Sequence, residues 1–208
     1  RSGVGELTLI DMDDICVTNI NRQLPAMSGT IGKLKTEVMS ERVKLINPEC
    51  TINIIDDFIS PENQSDYLNR GYDYVIDAID NVKTKASLIA YCKRNKINVI
   101  TIGGAGGQTD PTQIKIADLS KTIQDPLLAK VRSVLRKDYN FSQNPKRKFS
   151  IDAVFSTQPL IFPQMTEGCA ISATMNCANG FGAATMITAT FGFFAVSRVI
   201  DKLLKKKS

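Results

Sequence analysis

The sequence predicts an α/β fold: a doubly wound, Rossmann-like, mostly parallel sheet with helices on both faces. Three observations predict it. Strand-like and helix-like runs alternate through the first half of the chain. The strand runs are near-continuously apolar rather than alternating, as expected of strands covered on both faces. Acidic residues fall just after two of these runs, at the strand ends where open parallel sheets bind their ligands.

The elements follow in order. ELTLID (6–11) reads as a strand. GKLKTEVMSERVKLIN (32–47) carries Leu34, Val38 and Leu45 on one stripe, flanked by Met39, Val43 and Ile46, and stops at Asn47-Pro48; this is helical spacing with a helix-stop signal. CTINIID (50–56) is a second strand. SPENQSDYLNRG (60–71) opens with serine and proline, a helix start. YDYVIDAID (72–80) is a third strand, VKTKASLIAYCKRN (82–95) a helix and INVITIG (97–103) a fourth strand. TQIKIADL (112–119) reads as a strand, residues 121–136 as a helix, and NFSQNPKRKFS (140–150) as a polar, basic loop.

The whole chain reads as one nucleotide-binding domain, with no internal repeat. Its C-terminal portion (151–208) includes a stretch from Gly168 to Ser197 without Asp, Glu, Lys or Arg. A membrane span is one reading of that stretch. Its many Gly, Thr, Ala and Asn residues favour instead a helix packed on the core or at a dimer interface, since a span needs about 20 predominantly apolar residues. The opening RSGVGELTLI reads as a helix end, a glycine turn and a strand, so a glycine-rich βα unit is expected upstream of Arg1.

Composition narrows the chemistry. The 208 residues carry a net charge of +5 and contain no histidine. That removes Ser-His-Asp triads, Cys-His pairs and histidine-bound metals. The five cysteines are scattered and form no C-x-x-C pair, which fits a reducing cytoplasm better than a disulfide framework or zinc ribbon. Mild basicity is compatible with RNA without requiring it.

The candidate site residues lie around the strand ends. Asp11 sits where a nucleotide fold places the acid that accepts ribose hydroxyls. Asp80 suits Mg²⁺, a hard ion that takes one or two carboxylates plus phosphates; its alternative is to cap the following helix. Arg22 and Lys35 offer a guanidinium fork and an ammonium at a helix N-terminus, both suited to phosphate. Together the four read as a Mg-nucleotide site. GGAGG (103–107) marks either a close approach to a ligand or a turn. Cys177 is either a reactive thiol, acting as nucleophile or sulfur acceptor, or a structural cysteine. The basic loop 144–148 and the tail lysines 205–207 are either nucleic-acid phosphate contacts or solvated charge.

The pattern D-x-D followed by N-x-x-R-Q, a lysine thirteen residues after the arginine, and D-x-x-D-N resembles the ubiquitin-activating-enzyme-like (ThiF/MoeB/HesA) adenylyltransferases. The resemblance implies that Asp11 holds the ATP ribose, that Asn19, Arg22 and Lys35 hold phosphates, and that Asp80 binds Mg²⁺. It implies catalytic roles for Arg22, Lys35 and Asp80. The stretches YVIDAIDNVKTKASLIAYCKRNKI, GGAGGQ and KTIQDPL are similar to the branch of that family that closes a ring on threonylcarbamoyladenosine in tRNA. The resemblance therefore implies ATP-dependent loss of water through a carboxyl adenylate, release of AMP and pyrophosphate, tRNA as partner and a homodimer. The family's glycine-rich ATP loop is expected before Arg1, and the join near Thr174 looks shorter than the family pattern. Two alternatives stand: activation of the C-terminus of a small sulfur-carrier protein, and a nucleotide-binding sulfur-relay protein without turnover, with a cysteine desulfurase or sulfur acceptor as partner of Cys177. A dinucleotide oxidoreductase accounts for Asp11 but not for Arg22, Lys35 and Asp80 together.

Overall fold

The computed structural model describes residues 2–162 and 182–205. Six strands and five α-helices are defined among them. They are β1 (Glu6–Ile10), α1 (Lys35–Ile46), β2 (Thr51–Ile55), α2 (Gln64–Leu68), β3 (Val75–Asp77), α3 (Val82–Arg94), β4 (Val99–Ile102), β5 (Ile114–Asp118), α4 (Pro126–Asp138), β6 (Asp152–Ser156) and α5 (Thr185–Lys205). β1 and β2 pair in parallel, with Glu6 opposite Thr51 and Ile10 opposite Ile55. The other four strands form a sheet in the order β3-β4-β6-β5. β3, β4 and β6 run parallel and β5 closes the edge antiparallel.

Side-chain alternation along this sheet builds two cores. Val99, Ala153 and Phe155 face α3 and α4, where they meet Leu88, Ile89, Leu128, Val131 and Leu135. Ile100 and Val154, one residue out of phase, face α5 and meet Ile187, Phe191, Ala195 and Val199. The four-residue spacing of that α5 stripe presents one helical face to the sheet. Helices thus cover both faces, which fits the largely apolar β4 and β6, while the outer strands stay partly open at Ile76 of β3 and Lys115 of β5. No helix among the described residues is long and apolar enough to cross a membrane.

Several boundaries differ from the sequence expectation. β6 lies between β4 and β5 but falls in IDAVFS, which the periodicity reading passed over beside a basic loop. β3 keeps three residues of the nine-residue run 72–80, so Asp80 stands beyond the strand in the loop leading to α3. The helix expected over 121–136 begins at Pro126. Asp125 is its N-cap and accepts from Leu128 N at 2.8 Å, with proline at the first helical position where its missing N–H costs nothing.

Candidate functional site

The chain leaving β1 is held against the start of α1. Ile15 N donates to Lys33 O (2.9 Å), Gly32 N to Ile15 O (2.9 Å) and Lys35 N to Asp13 O (3.1 Å). Beneath them Ile15, Ala26 and Val38 form a small apolar cluster. A polar loop at a strand end is thereby given a fixed shape by its own hydrophobic anchor.

Asp11 follows β1 directly, and its N–H extends the ladder to Ile55 O (3.3 Å). One carboxylate oxygen, Oδ1, accepts from Asp13 N at 2.8 Å, which fixes the side chain in an Asx turn. Asn19 is buried, and its Oδ1 accepts from Cys16 N at 3.1 Å. The Arg22 guanidinium donates to Thr18 O (2.8 Å) and Asn21 Oδ1 (2.9 Å). Lys35 Nζ lies 2.5 Å from Asp13 Oδ2. Asp13 thus belongs to the constellation, and pairs with the lysine that the sequence pattern aims at phosphate. With half of its surface open (51 %), Asp13 can release Lys35 to a competing anion.

The Asn21–Arg22 segment is tied to the start of α5. Asn21 Nδ2 donates to Ala183 O, Thr185 Oγ1 to Asn21 O, and Thr188 Oγ1 to Arg22 O, each at 2.8 Å. The helix that packs on one face of the sheet therefore also positions the arginine.

Asp80 stands in the loop between β3 and α3. Its carboxylate is exposed and makes no hydrogen bond or ion pair with the described residues. The capping alternative falls to its neighbour: Asn81 Oδ1 accepts from Lys83 N and Thr84 N, both at 3.1 Å. No direct bond joins Asp80 to Asp11, Asn19 or Lys35. Among the described residues no group of three or more Cys, Asp and Glu side chains is arranged to hold a metal by itself. A single open carboxylate still fits Mg²⁺, which takes its remaining ligands from phosphate and water.

Below the Asp80 loop lies a buried polar cluster that the sequence reading missed. Asp77 (1 % exposed) and Lys85 (0 %) form an ion pair, Nζ to Oδ2 3.0 Å. Lys85 also donates to Ile79 O at 2.8 Å, Thr101 Oγ1 to Asp77 Oδ2 at 2.7 Å, and Ile79 N to Asp77 Oδ1 at 3.0 Å. Every segment from β3 to α3 is thus tied to one ion pair. Asp77 opens the D-x-x-D-N pattern and Lys85 lies one turn after Asn81, so the signal was present, but a lysine in a helix reads as a surface residue.

Asp125 completes the region. Its Oδ2 accepts from Gly104 N at 3.0 Å and its Oδ1 from Leu128 N at 2.8 Å. Burial raises its pKa above 3.8, against the lowering effect of these N–H donors and of Lys85 and Arg132. A Cβ on Gly103 would stand 1.9 Å from Asp125 Oδ2. The GGAGG run therefore makes a close approach, to a carboxylate of the protein itself. Cys177 and the join near Thr174 lie outside the described residues. Cys92 is buried beside Asp77, and burial pushes its thiol up to about 12.

A model of the ThiF family matches residues 1–208. The tRNA threonylcarbamoyladenosine dehydratase of Haemophilus influenzae is 98 % identical over 208 residues, covering 100 % of this chain and 80 % of that protein. The dehydratase of Escherichia coli is 56 % identical over 214 residues, covering 99 % and 80 %. The E. coli enzyme TcdA in complex with ATP superimposes with a TM-score of 0.88 at 54 % identity, over 99 % of this chain and 78 % of that one; it has also been solved with AMP. A strand-end loop with aspartate, asparagine and arginine, a lysine opening the next helix, and likeness along the whole chain lead to one conclusion: the chain belongs to the ThiF family.

Proposed function

We propose that this chain catalyses the ATP-dependent dehydration of threonylcarbamoyladenosine in tRNA. The observation that carries the reading is the likeness, along every residue of the chain, to proteins named for that reaction. The site geometry supports the same chemistry.

In this reading the threonyl carboxylate of the modified nucleoside attacks the α-phosphate of ATP. The P–O bond to pyrophosphate breaks and a carboxyl adenylate forms. The carbamoyl group then attacks the activated carbonyl and gives up a proton to solvent, AMP leaves with the former carboxylate oxygen, and the ring closes, so that the nucleoside has lost one water. A carboxylate is already ionised at neutral pH, so the first step requires no general base. This agrees with a chain that has no histidine. What the step does require is neutralisation of charge on the triphosphate.

Asp11 is assigned to the ribose hydroxyls. Asn19, Arg22 and Lys35 are assigned to the phosphates, Lys35 exchanging Asp13 for phosphate as the nucleotide enters. Asp80 is assigned to Mg²⁺; its lack of a side-chain partner among the described residues and the capping of α3 by Asn81 support that role. Bound there, the ion would supply Lewis-acid charge stabilisation. The Asp77–Lys85 pair holds the backbone that carries Asp80.

A homodimer is part of the proposal. α5 buries one face on the sheet, while Met186, Phe193, Val196 and Leu204 remain exposed, Phe193 by 73 %. An apolar stripe of this kind on a helix favours a protein partner. Sedimentation of wild type and Phe193→Glu tests it; an unchanged monomer in both would dismiss it.

The reaction itself is tested by incubating the full-length protein with ATP, Mg²⁺ and threonylcarbamoylated tRNA and weighing the released nucleoside. Loss of one water with stoichiometric AMP is expected. Turnover of ATP with an unchanged nucleoside mass would exclude the reading.

A further inference from the structure

The strand ends opposite the candidate nucleotide site enclose an open cleft of about 750 Å³. It is lined by the first residues of β4 and β6, the last residues of β5, the end of α3 and the last turns of α5. Four lysines, Lys93, Lys96, Lys148 and Lys202, stand around it, all exposed. None of their ammonium groups has an ion-pair or hydrogen-bond partner among the described residues.

The two acids that line the cleft, Asp118 and Asp152, and the nearby Asp201 already have protein partners. Asp152 is held by Arg198 through two hydrogen bonds, of 2.8 and 3.1 Å. Asp118 accepts from Ser120 N, Phe149 N and Ser150 N at 2.9, 2.9 and 2.7 Å. Asp201 is paired with Lys205 at 2.9 Å and lies 3.8 Å from Arg198. The lining thus sets four lysines and Arg198 against two carboxylates, a net positive charge, and a concave wall concentrates its field. Lys96 adds a second sign: it adopts φ 59° just after the C-cap of α3, a position where glycine is the unstrained residue.

We propose that this cleft is an anchoring site for the phosphate backbone of RNA. The inference rests on the tRNA substrate proposed above. α5 links the two regions: Thr188 binds the Arg22 backbone at one end and Lys202 lines the cleft at the other, about 21 Å along the helix. A long polyanion can engage both regions; a mononucleotide cannot. Lysines act as point charges that suit a backbone read without sequence. A membrane surface would call for apolar residues on a protruding face, whereas this is a recess. The exposed Lys146 and Arg147 continue the positive surface beside Lys148.

The test uses two charge reversals in the full-length protein, Lys93→Glu/Lys96→Glu and Lys148→Glu/Lys202→Glu, with threonylcarbamoylated tRNA as probe. Affinity is measured against salt concentration. Each variant is expected to bind tRNA at least about tenfold more weakly, and its log K versus log[salt] slope to become about 1.5 shallower, at 0.7–0.9 per lost phosphate contact. ATP binding stays at the wild-type level, since these residues lie at the opposite ends of the strands; this shows that the variants are folded. A salt slope equal to wild type in both variants overturns the proposal. So does a loss confined to binding of anionic lipid vesicles, or a change of oligomeric state with tRNA binding intact. Failure of the wild-type protein to remove water from the nucleoside would strike the underlying reaction instead, and is read from product mass rather than from binding.

Discussion

Replacing Lys85 by methionine tests the link between the buried ion pair and the candidate metal carboxylate. The side chains have similar length, so the volume is nearly kept and the ammonium is removed. In the native protein that ammonium lies 3.0 Å from Asp77 Oδ2 and 2.8 Å from Ile79 O, with no solvent exposure. After the change Asp77 retains only the Thr101 hydroxyl and the Ile79 N–H. A carboxylate without its counter-ion in the interior costs about 3–5 kcal/mol when one partner of a buried pair is deleted. For a chain of this size that corresponds to a fall in Tm of about 10 °C.

The double variant Lys85→Met/Asp77→Asn separates this cause from lost packing. It removes both charges, so the deficit is expected to shrink below that of Lys85→Met alone, with a coupling energy of about 1–3 kcal/mol. Urea unfolding followed by far-ultraviolet circular dichroism gives the stabilities. ATP-dependent loss of water from the nucleoside, titrated with Mg²⁺, gives the function. Because Lys85 and Asp77 fix Ile79, one residue before Asp80, the Mg²⁺ concentration for half-maximal activity is expected to rise in Lys85→Met. Two results would refute the reasoning: singles and double that are simply additive, or an unchanged Mg²⁺ requirement in a variant that has lost stability.

Asp80→Ala is expected to leave stability within about 0.5 kcal/mol, since the side chain has no partner among the described residues, while activity falls by on the order of 100-fold; a large shift in Tm would place Asp80 in the scaffold instead. Asn81→Ala removes the cap on Lys83 and Thr84 and should cost about 1 kcal/mol of stability in urea unfolding. Gly103→Ala puts a methyl against Asp125 Oδ2 and should cost about 1–3 kcal/mol as an overpacked site; a neutral result would mean that Asp125 moves freely. Burial holds the Asp125 carboxyl above its ordinary value. The folded state therefore binds its proton more tightly than the unfolded chain, and its contribution to stability falls as pH rises from 3.8 toward the raised value. Asp125→Asn abolishes that decline, so it should destabilise more at about pH 5 than at about pH 8; equal losses at both would contradict the buried, proton-binding carboxyl.

What the sequence disclosed and what it withheld follow one physical division. Periodicity and caps are local, so β1, α1, β2, α3 and β4 were legible within a few residues. Asp11, Arg22 and Lys35 stood out for the same reason, since a polar cluster after an apolar strand is itself a local contrast, whereas Asn19 entered only through the family resemblance; their roles toward nucleotide remain proposals. The three-strand core around β6 was less legible: IDAVFS pairs with β4 and β5 across long stretches of chain, and only that pairing makes it a strand. The same holds for Asp77, Lys85, Thr101 and Asp125, which come from four separate elements. Each has a plausible solitary role, as strand end, surface lysine, β-branched filler or N-cap. Their joint role exists only once β3 and β4 lie side by side with α3 and α4 on one face. Asp13 was passed over for a related reason, as its partner Lys35 lies 22 residues away. Function sits at both levels. The groups assigned to nucleotide are local and readable, whereas the groups that hold them in place are set by topology. Substitutions at the first kind should therefore appear as lost turnover with intact stability, and substitutions at the second as the two lost together.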